Sequence, residues 1–245
     1  MSERTAIQAR NLTKRYGGIV AVDRVNFALS ANEVVCIIGP NGAGKSSLVA
    51  MLSGATVPSA GDIIVDGQAM EGRCTERFCQ LGVVRKFQGT NTFQWLSARD
   101  NLAVARLGTA RWRSGSEESI ESTLDLVGLG CQADTLAGEL SHGQRQWLEL
   151  GMTLISRPTA LLLDEPTAGM TADETLRMAE MVGTIRGRCA VVVIEHDMGF
   201  VRDLRCRTLV MHQGSIIREG AFDDIANDRE IQDIYLGRGG QRAQG

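Results

Sequence analysis

The chain has 245 residues, 43% of them hydrophobic and 22% charged, with a net charge of −3. Such a chain is long enough to bury a sizeable core, and its charge excludes the basic footprint of a protein built to hold nucleic acid. The cysteines at 36, 74, 79, 131, 189 and 206 form no pair of C-x-x-C steps and read as reduced thiols.

Residues 6–27 carry apolar positions in short runs broken by Gly17-Gly18, the pattern of paired antiparallel strands. Tyr16 sits at the turn, one of two tyrosines. It reads either as a half-buried strand residue or as a flat surface on which a purine base stacks.

A β-branched run (Val34, Val35, Ile37, Ile38) then leads into Gly39-Pro40-Asn41-Gly42-Ala43-Gly44-Lys45-Ser46, and Ser47, Leu48, Val49, Met51 and Leu52 follow as a helix. The eight residues fit G-x-x-x-x-G-K-[ST] at every fixed position, in the strand–turn–helix context that gives the motif its meaning. Glycines let the backbone curl so that successive N–H groups face phosphate oxygens, and the new helix adds its positive end. Lys45 is placed to reach the outer phosphates and the Ser46 hydroxyl to bind Mg²⁺, with Ser47 closing the nucleotide-contact set. The chain is expected to bind a nucleoside triphosphate with Mg²⁺.

Residues 61–67 read as a β segment between turn residues, and Val83, Val84 and Phe87 as a strand ending at Gln88. From there the character changes. Residues 99–107 read helical, 108–119 as an exposed loop, and Ile120, Leu124 and Val127 recur at helical spacing. Residues 89–156 are expected to form a mainly helical subdomain inserted into a core made of 1–88 and 157–245. Within it, Ser141 followed by Gln144 is a capping-box pattern that starts a helix through Trp147, Leu150 and Leu154. That helix start reads either as a well-capped end or as an anion site.

Leu161, Leu162 and Leu163 lead straight into Asp164 and Glu165, a buried strand ending in two acids. In phosphate-loop proteins an Asp at this place holds Mg²⁺, and a carboxylate beside it can orient or deprotonate water. Thr171 and Glu174 repeat the capping box, and residues 191–194 form a further core strand running into Glu195-His196-Asp197. A histidine at the carboxyl end of a parallel strand faces the ligand crevice of such sheets. Residues 209–220 read as a hairpin turning at Gln213-Gly214. Ile231, Ile234, Tyr235 and Leu236 make a short amphipathic helix, and 237–245 a loose tail.

Taken together, Tyr16, the loop at 39–46, Gln88, the stretch 140–144, Leu163-Asp164-Glu165 and His196 resemble the ATP-binding subunits of ABC transporters across nearly the whole chain. The resemblance implies one α/β ATP-binding domain, a phosphate-loop NTPase core with a parallel sheet, an antiparallel β subdomain and an inserted helical subdomain. It implies that Tyr16 stacks on adenine and that Gln88 senses Mg²⁺ and the γ-phosphate. Ser141, Gly143 and Gln144 would grip ATP held by a second subunit. Asp164 would hold the metal, Glu165 would polarise the attacking water and His196 would contact the γ-phosphate.

Two departures stand out. His142 replaces the usual first glycine of Ser-Gly-Gly-Gln, and Ala168-Gly169-Met170-Thr171 replaces Ser-Ala-Leu-Asp. Both resemble importers for branched-chain amino acids and for urea or short-chain amides. The wording of residues 85–88, 140–149, 168–171, 195–198 and 234–238 is most like the urea type. The implied partners are a second ATPase subunit (a paralogue or a second copy, head to tail), a membrane permease and, indirectly, an external binding protein. No nucleic acid is implied. A single phosphate loop without a heptad run argues against a soluble cassette acting on ribosomes or DNA. Glu165 with His196 argues against a module without turnover. No apolar run approaches the about 18 residues that span a bilayer, and no signal peptide opens the chain, so it is expected at the cytoplasmic face of the membrane, held through the permease.

Overall fold

A computed structural model describes residues 4–70, 72, 75–86, 92–107 and 119–235. Gln88, most of the expected loop at 108–119, Leu236 and the tail lie outside them.

Strands β1 (Thr5–Tyr16) and β2 (Ile19–Ser30) meet at Gly17-Gly18 and pair antiparallel. Strand β3 (Val34–Ile38) runs into the glycine loop and helix α1 (Lys45–Leu52). With β4 (Ala60–Val65) and β5 (Gln68–Ala69), β1 and β2 form a four-stranded antiparallel sheet in the order β2-β1-β4-β5. Helix α2 (Thr75–Gln80) leads to β6 (Val83–Lys86).

The second sheet adds β7 (Ala160–Asp164), β8 (Ala190–Ile194), β9 (Arg207–His212) and β10 (Ser215–Ala221), in the order β10-β9-β3-β8-β7-β6. All of its strands are parallel except β10, which returns antiparallel from the turn at Gln213-Gly214. Continuous apolar runs such as 34–38 and 190–194 are what a strand covered on both faces requires. Alternate residues go to opposite sides. Val34, Cys36 and Ile38 join Leu161, Leu163, Val191 and Val193 in one cluster. Val35 and Ile37 join Leu162, Val192, Leu48 and Leu52 in the other, under the antiparallel sheet.

Between β6 and β7 the described residues are helical, in α3 (Ala98–Leu107), α4 (Ile120–Leu126) and α5 (His142–Leu154), with a 3₁₀ turn at Gly130–Gln132 and one isolated bridge, Ser97 to Leu136. Their apolar faces (Leu102, Leu124, Trp147, Leu148) share the first cluster with the sheet. Burying a large apolar side chain contributes about 1.5–3 kcal/mol, so these helices are held by packing more than by propensity. Helices α6 (Ala172–Ile185), α7 (Met198–Asp203), α8 (Phe222–Ala226) and α9 (Arg229–Tyr235) complete the described residues.

Both expected capping boxes are present. Ser141 Oγ accepts from Gln144 N at 3.2 Å while Gln144 Oε1 accepts from Ser141 N at 2.9 Å. Thr171 and Glu174 do the same at the start of α6. From the sequence, the polar setting just after Gln88 suggests that Phe93, Trp95 and Leu96 are all exposed; Phe93 and Trp95 are, whereas Leu96 is half-buried.

Candidate functional site

Four adjacent parallel strands, β3, β8, β7 and β6, end on the same edge of the sheet, where a doubly wound fold places its ligand crevice. The loop after β3 is fixed there by contacts that only glycine tolerates. Gly39 has φ +154 and Gly44 φ +101; a Cβ on either would stand 2.2 Å from a backbone oxygen, of Met211 and Ala21 respectively. The loop is therefore wedged between β2 and the β9–β10 turn, and Gly214 N donates to Ala43 O at 2.9 Å. Gly44 caps α1 without a side chain, which leaves the first-turn amides with no side-chain partner of their own cap. That is the arrangement an anion needs.

Lys45 is buried and folds back over the loop, donating to Gly39 O at 2.7 Å and Pro40 O at 3.1 Å. Burial pulls its pKa below the ordinary value, opposed by the charges of Glu165 and Asp164. The ammonium thus sits in the field of both acids. Asp164 Oδ2 accepts from Arg85 Nη2 at 2.7 Å, a pair formed across neighbouring strands β7 and β6.

Glu165 is one of the residues held at positive φ (50°), a conformation costly for a side chain other than glycine and found where function demands it. Its N–H donates to Ile194 O at 2.9 Å, and its Oε1 lies 3.9 Å from His196 Nδ1. His196 is well exposed. Beneath both lies Glu195, with no exposed surface. Its Oε1 accepts from Thr167 N at 2.9 Å and Thr167 Oγ1 at 2.6 Å, and its Oε2 from His196 N at 3.0 Å.

The structure therefore brings together residues 39–47, Asp164, Glu165 and His196. Tyr16 stands at the β1–β2 turn, about half exposed, with Lys14 Nζ 5.0 Å from its ring centroid. The described hydrogen bonds of Ser141 and Gln144 close their own cap. Gly143 packs against α6, since a Cβ there would stand 2.3 Å from Glu174 Oε1. His142 Nε2 lies 3.2 Å from Gln146 Nε2, which donates to Ala168 O at 3.2 Å. Gln88 falls outside the described residues. Sequence reasoning missed Arg85 and Glu195 as parts of the site. Each adjoins a residue it named, but the burial that marks them comes from distant strands.

Among the described residues no helix is long and apolar enough to cross a membrane. The five described cysteines are free thiols, and Cys74 lies outside the described residues.

Comparison with known proteins bears on the same elements. The family model described as ABC transporter matches residues 22–168. The high-affinity branched-chain amino acid transport ATP-binding protein LivG of Escherichia coli (strain K12) is 32% identical over 94% of this chain and 97% of its own length. BraF of Pseudomonas aeruginosa, which carries the same description, is 33% identical over 96% and 98%. A crystal structure of the ADP conformation of MJ1267, an ATP-binding cassette of an ABC transporter, superposes with a TM-score of 0.85 at 25% identity, covering 95% of this chain and 99% of that one. The chain belongs to the ABC transporter family, as a nucleotide-binding subunit with the fold and the ATPase activity of that family's cassettes.

Proposed function

We propose that this chain powers an importer for branched-chain amino acids. The observation that carries the reading is the end-to-end match, at 32% and 33% identity, to two ATP-binding proteins of such systems. The motif wording described above favours urea or short-chain amides and supplies the second reading.

The loop amides, Lys45, Ser46 and Ser47 bind the phosphates, and Tyr16 stacks on the adenine. The donor set also fits Mg²⁺, which takes few protein ligands and keeps substrate oxygens and waters. The Ser46 hydroxyl and the Asp164 carboxylate are hard oxygen donors of that kind, with Gln88 a further one by resemblance. Bound there, Mg²⁺ supplies charge neutralisation for the departing phosphates.

Glu165 is the general base, accepting a proton from water at its carboxylate. Its backbone conformation and the bond to Ile194 O fix the direction from which it acts. His196, beside it, donates a hydrogen bond to the γ-phosphate. The described hydrogen bonds of Ser141 and Gln144 close their own cap, and Ser141, Gly143 and Gln144 serve the ATP of a second cassette, a paralogue or a second copy. Phe93 and Trp95 present an aromatic surface for the permease, through which an external binding protein acts and the chain is held at the cytoplasmic face. Core residues 1–88 and 157–245 then carry the nucleotide, and the helical part at 89–156 carries the partner contacts.

The test is deletion of this subunit in its host, followed by uptake of labelled leucine and labelled urea. Loss of leucine uptake with normal urea uptake is expected. The opposite pattern transfers the assignment to the urea and amide branch, and loss of neither removes both.

A further inference from the structure

Among the described residues, Glu195 is the one carboxylate at this edge of the sheet that no surface reaches. A buried charged or polar group is costly unless hydrogen bonds replace its water, and here three do. Their origins are informative. Two come from Thr167, two residues beyond Glu165, in a turn whose next residue, Ala168, donates back to Glu165 O at 3.2 Å. The third comes from the backbone of His196, whose Nδ1 lies 3.7 Å from the same carboxylate. The backbone N–H of Glu195 points to Ile37 O at 3.4 Å, on the strand that feeds the phosphate loop.

We propose that Glu195 is a positioning residue for hydrolysis, whose carboxylate clamps the turn after Glu165 to the backbone of His196 and so sets the separation of those two groups. The inference rests on the roles given above to Glu165 and His196. One oxygen serves each side of the clamp, and a carboxylate, having acceptors only, suits three donors at once. An amide does not. Glutamine can keep one oxygen towards Thr167, but its NH₂ then meets the His196 N–H donor to donor. A displacement of about 1 Å at a reacting group can cost about 10²-fold in rate, so loss of the clamp acts on turnover while the phosphate contacts stay intact.

The experiment measures steady-state ATP hydrolysis in the assembled transporter, ATP affinity of the purified subunit, and backbone hydrogen exchange across residues 165–171 and 194–197. The variants are Glu195→Gln, Thr167→Val, Thr167→Ser and the double Glu195→Gln/Thr167→Val. We expect Glu195→Gln and Thr167→Val each to lower kcat by about 10²-fold, with KM and ATP affinity within about twofold of wild type. Thr167→Ser keeps the hydroxyl and returns kcat to within about threefold, while the double variant falls no further than the worse single one, because both break one unit. Exchange at His196 quickens in Glu195→Gln. Should that variant not fold, Thr167→Val carries the same comparison.

Wild-type kcat in Thr167→Val, a rise in KM that accounts for the loss, or multiplicative losses in the double variant would each overturn the clamp, as would unchanged exchange. Failure of the underlying reading looks different. Full turnover by Glu165→Gln removes the catalytic assignment and with it a positioning role, even where the exchange data still report the hydrogen bonds.

Discussion

Arg85 and Asp164 form an ion pair across strands β6 and β7, Nη2 to Oδ2 at 2.7 Å, with side chains only 14% and 6% exposed. The parallel register sets Lys86 beside Leu163, which brings the arginine and the aspartate one step either side of that pair together at the strand ends. The carboxylate proposed as a metal ligand is therefore neutralised by protein cations, Arg85 in contact and Lys45 at longer range.

Removing the cation from such a pair costs about 3–5 kcal/mol, because the remaining charge stays in a poorly solvated place. Arg85→Met is expected to lower the melting temperature accordingly. Millimolar Mg²⁺, without nucleotide, should then recover part of the loss in the variant while moving wild type little, since a divalent ion can take over at Asp164. Melting curves at constant ionic strength with and without Mg²⁺ decide this, and equal Mg²⁺ responses in the two proteins refute it.

A second buried pair joins the sheet to α5. Lys86 Nζ lies 3.7 Å from Glu149 Oε2, with exposures of 12% and 8%. Burial lowers the Lys86 pKa from its ordinary 10.5, only partly offset by Glu149. The unfolded chain then binds more protons than the native one between the lowered value and 10.5, so this group makes stability rise with pH through that window. Denaturant titrations on the alkaline side, up to pH 10.5, should show wild type gaining on Lys86→Met/Glu149→Leu as pH rises. The single Lys86→Met should lose about 3 kcal/mol near neutral pH, and the double variant should regain most of it by packing. A flat difference across pH would show that the lysine is not desolvated as the structure has it.

The legible parts of this chain were the local ones. The glycine loop, the capping boxes at Ser141 and Thr171, the unbroken apolar strands and the turn at Gln213-Gly214 each declare themselves within about eight residues, where backbone chemistry acts alone. What was hidden depends on sequence separation. Arg85 meets Asp164 across 79 positions, and Thr167 meets Glu195 across 28. The two departures from the family pattern were each visible, but not that they are neighbours: His142 Nε2 stands 3.9 Å from where a Cβ on Gly169 would be. Substrate was the least legible, because in an importer the selecting residues belong to the permease and the binding protein. There the motif wording favoured urea, whereas the full-length relatives described above are branched-chain amino acid transport proteins.

Trp95 is 88% exposed and Phe93 51%, yet the loop bearing them is firmly held. Asn101, fully buried, accepts from Phe93 N at 2.8 Å and donates to Phe93 O, Leu96 O and Ser97 O. A large aromatic presented on a rigid loop is the composition of a contact core and carries little ordering cost on binding. Trp95→Ala should leave hydrolysis by the isolated subunit unchanged and abolish its stimulation by the permease. Asn101→Ala, which unties the loop, should weaken stimulation and lower the melting temperature as well. Normal stimulation in Trp95→Ala removes this surface from coupling.

Glu165 offers the sharpest test, because its backbone and its carboxylate can be separated. Its left-handed conformation costs about 1 kcal/mol or more for a residue with a Cβ, whereas glycine adopts it freely at some expense in unfolded-chain entropy. Glu165→Gly is therefore expected to be more stable than wild type, by about 0.5–1 kcal/mol, while losing hydrolysis. Glu165→Gln keeps the shape and the strain and removes only the basic oxygen. Positioned general bases contribute about 10²–10⁴ in rate, so hydrolysis should fall by that factor with ATP affinity retained through Lys45, Ser46 and the loop amides. ATP then persists between two cassettes. In size-exclusion chromatography with ATP, Glu165→Gln should run as a dimer, mixed with its paralogue if the pair is heteromeric. Glu165→Gln/Ser141→Arg should remain monomeric, because an arginine at the start of α5 blocks the second subunit's approach. A Glu165→Gly variant less stable than wild type would mean the turn gains more from the glutamate than its backbone loses. Wild-type turnover in Glu165→Gln would take the general-base role away from this residue altogether.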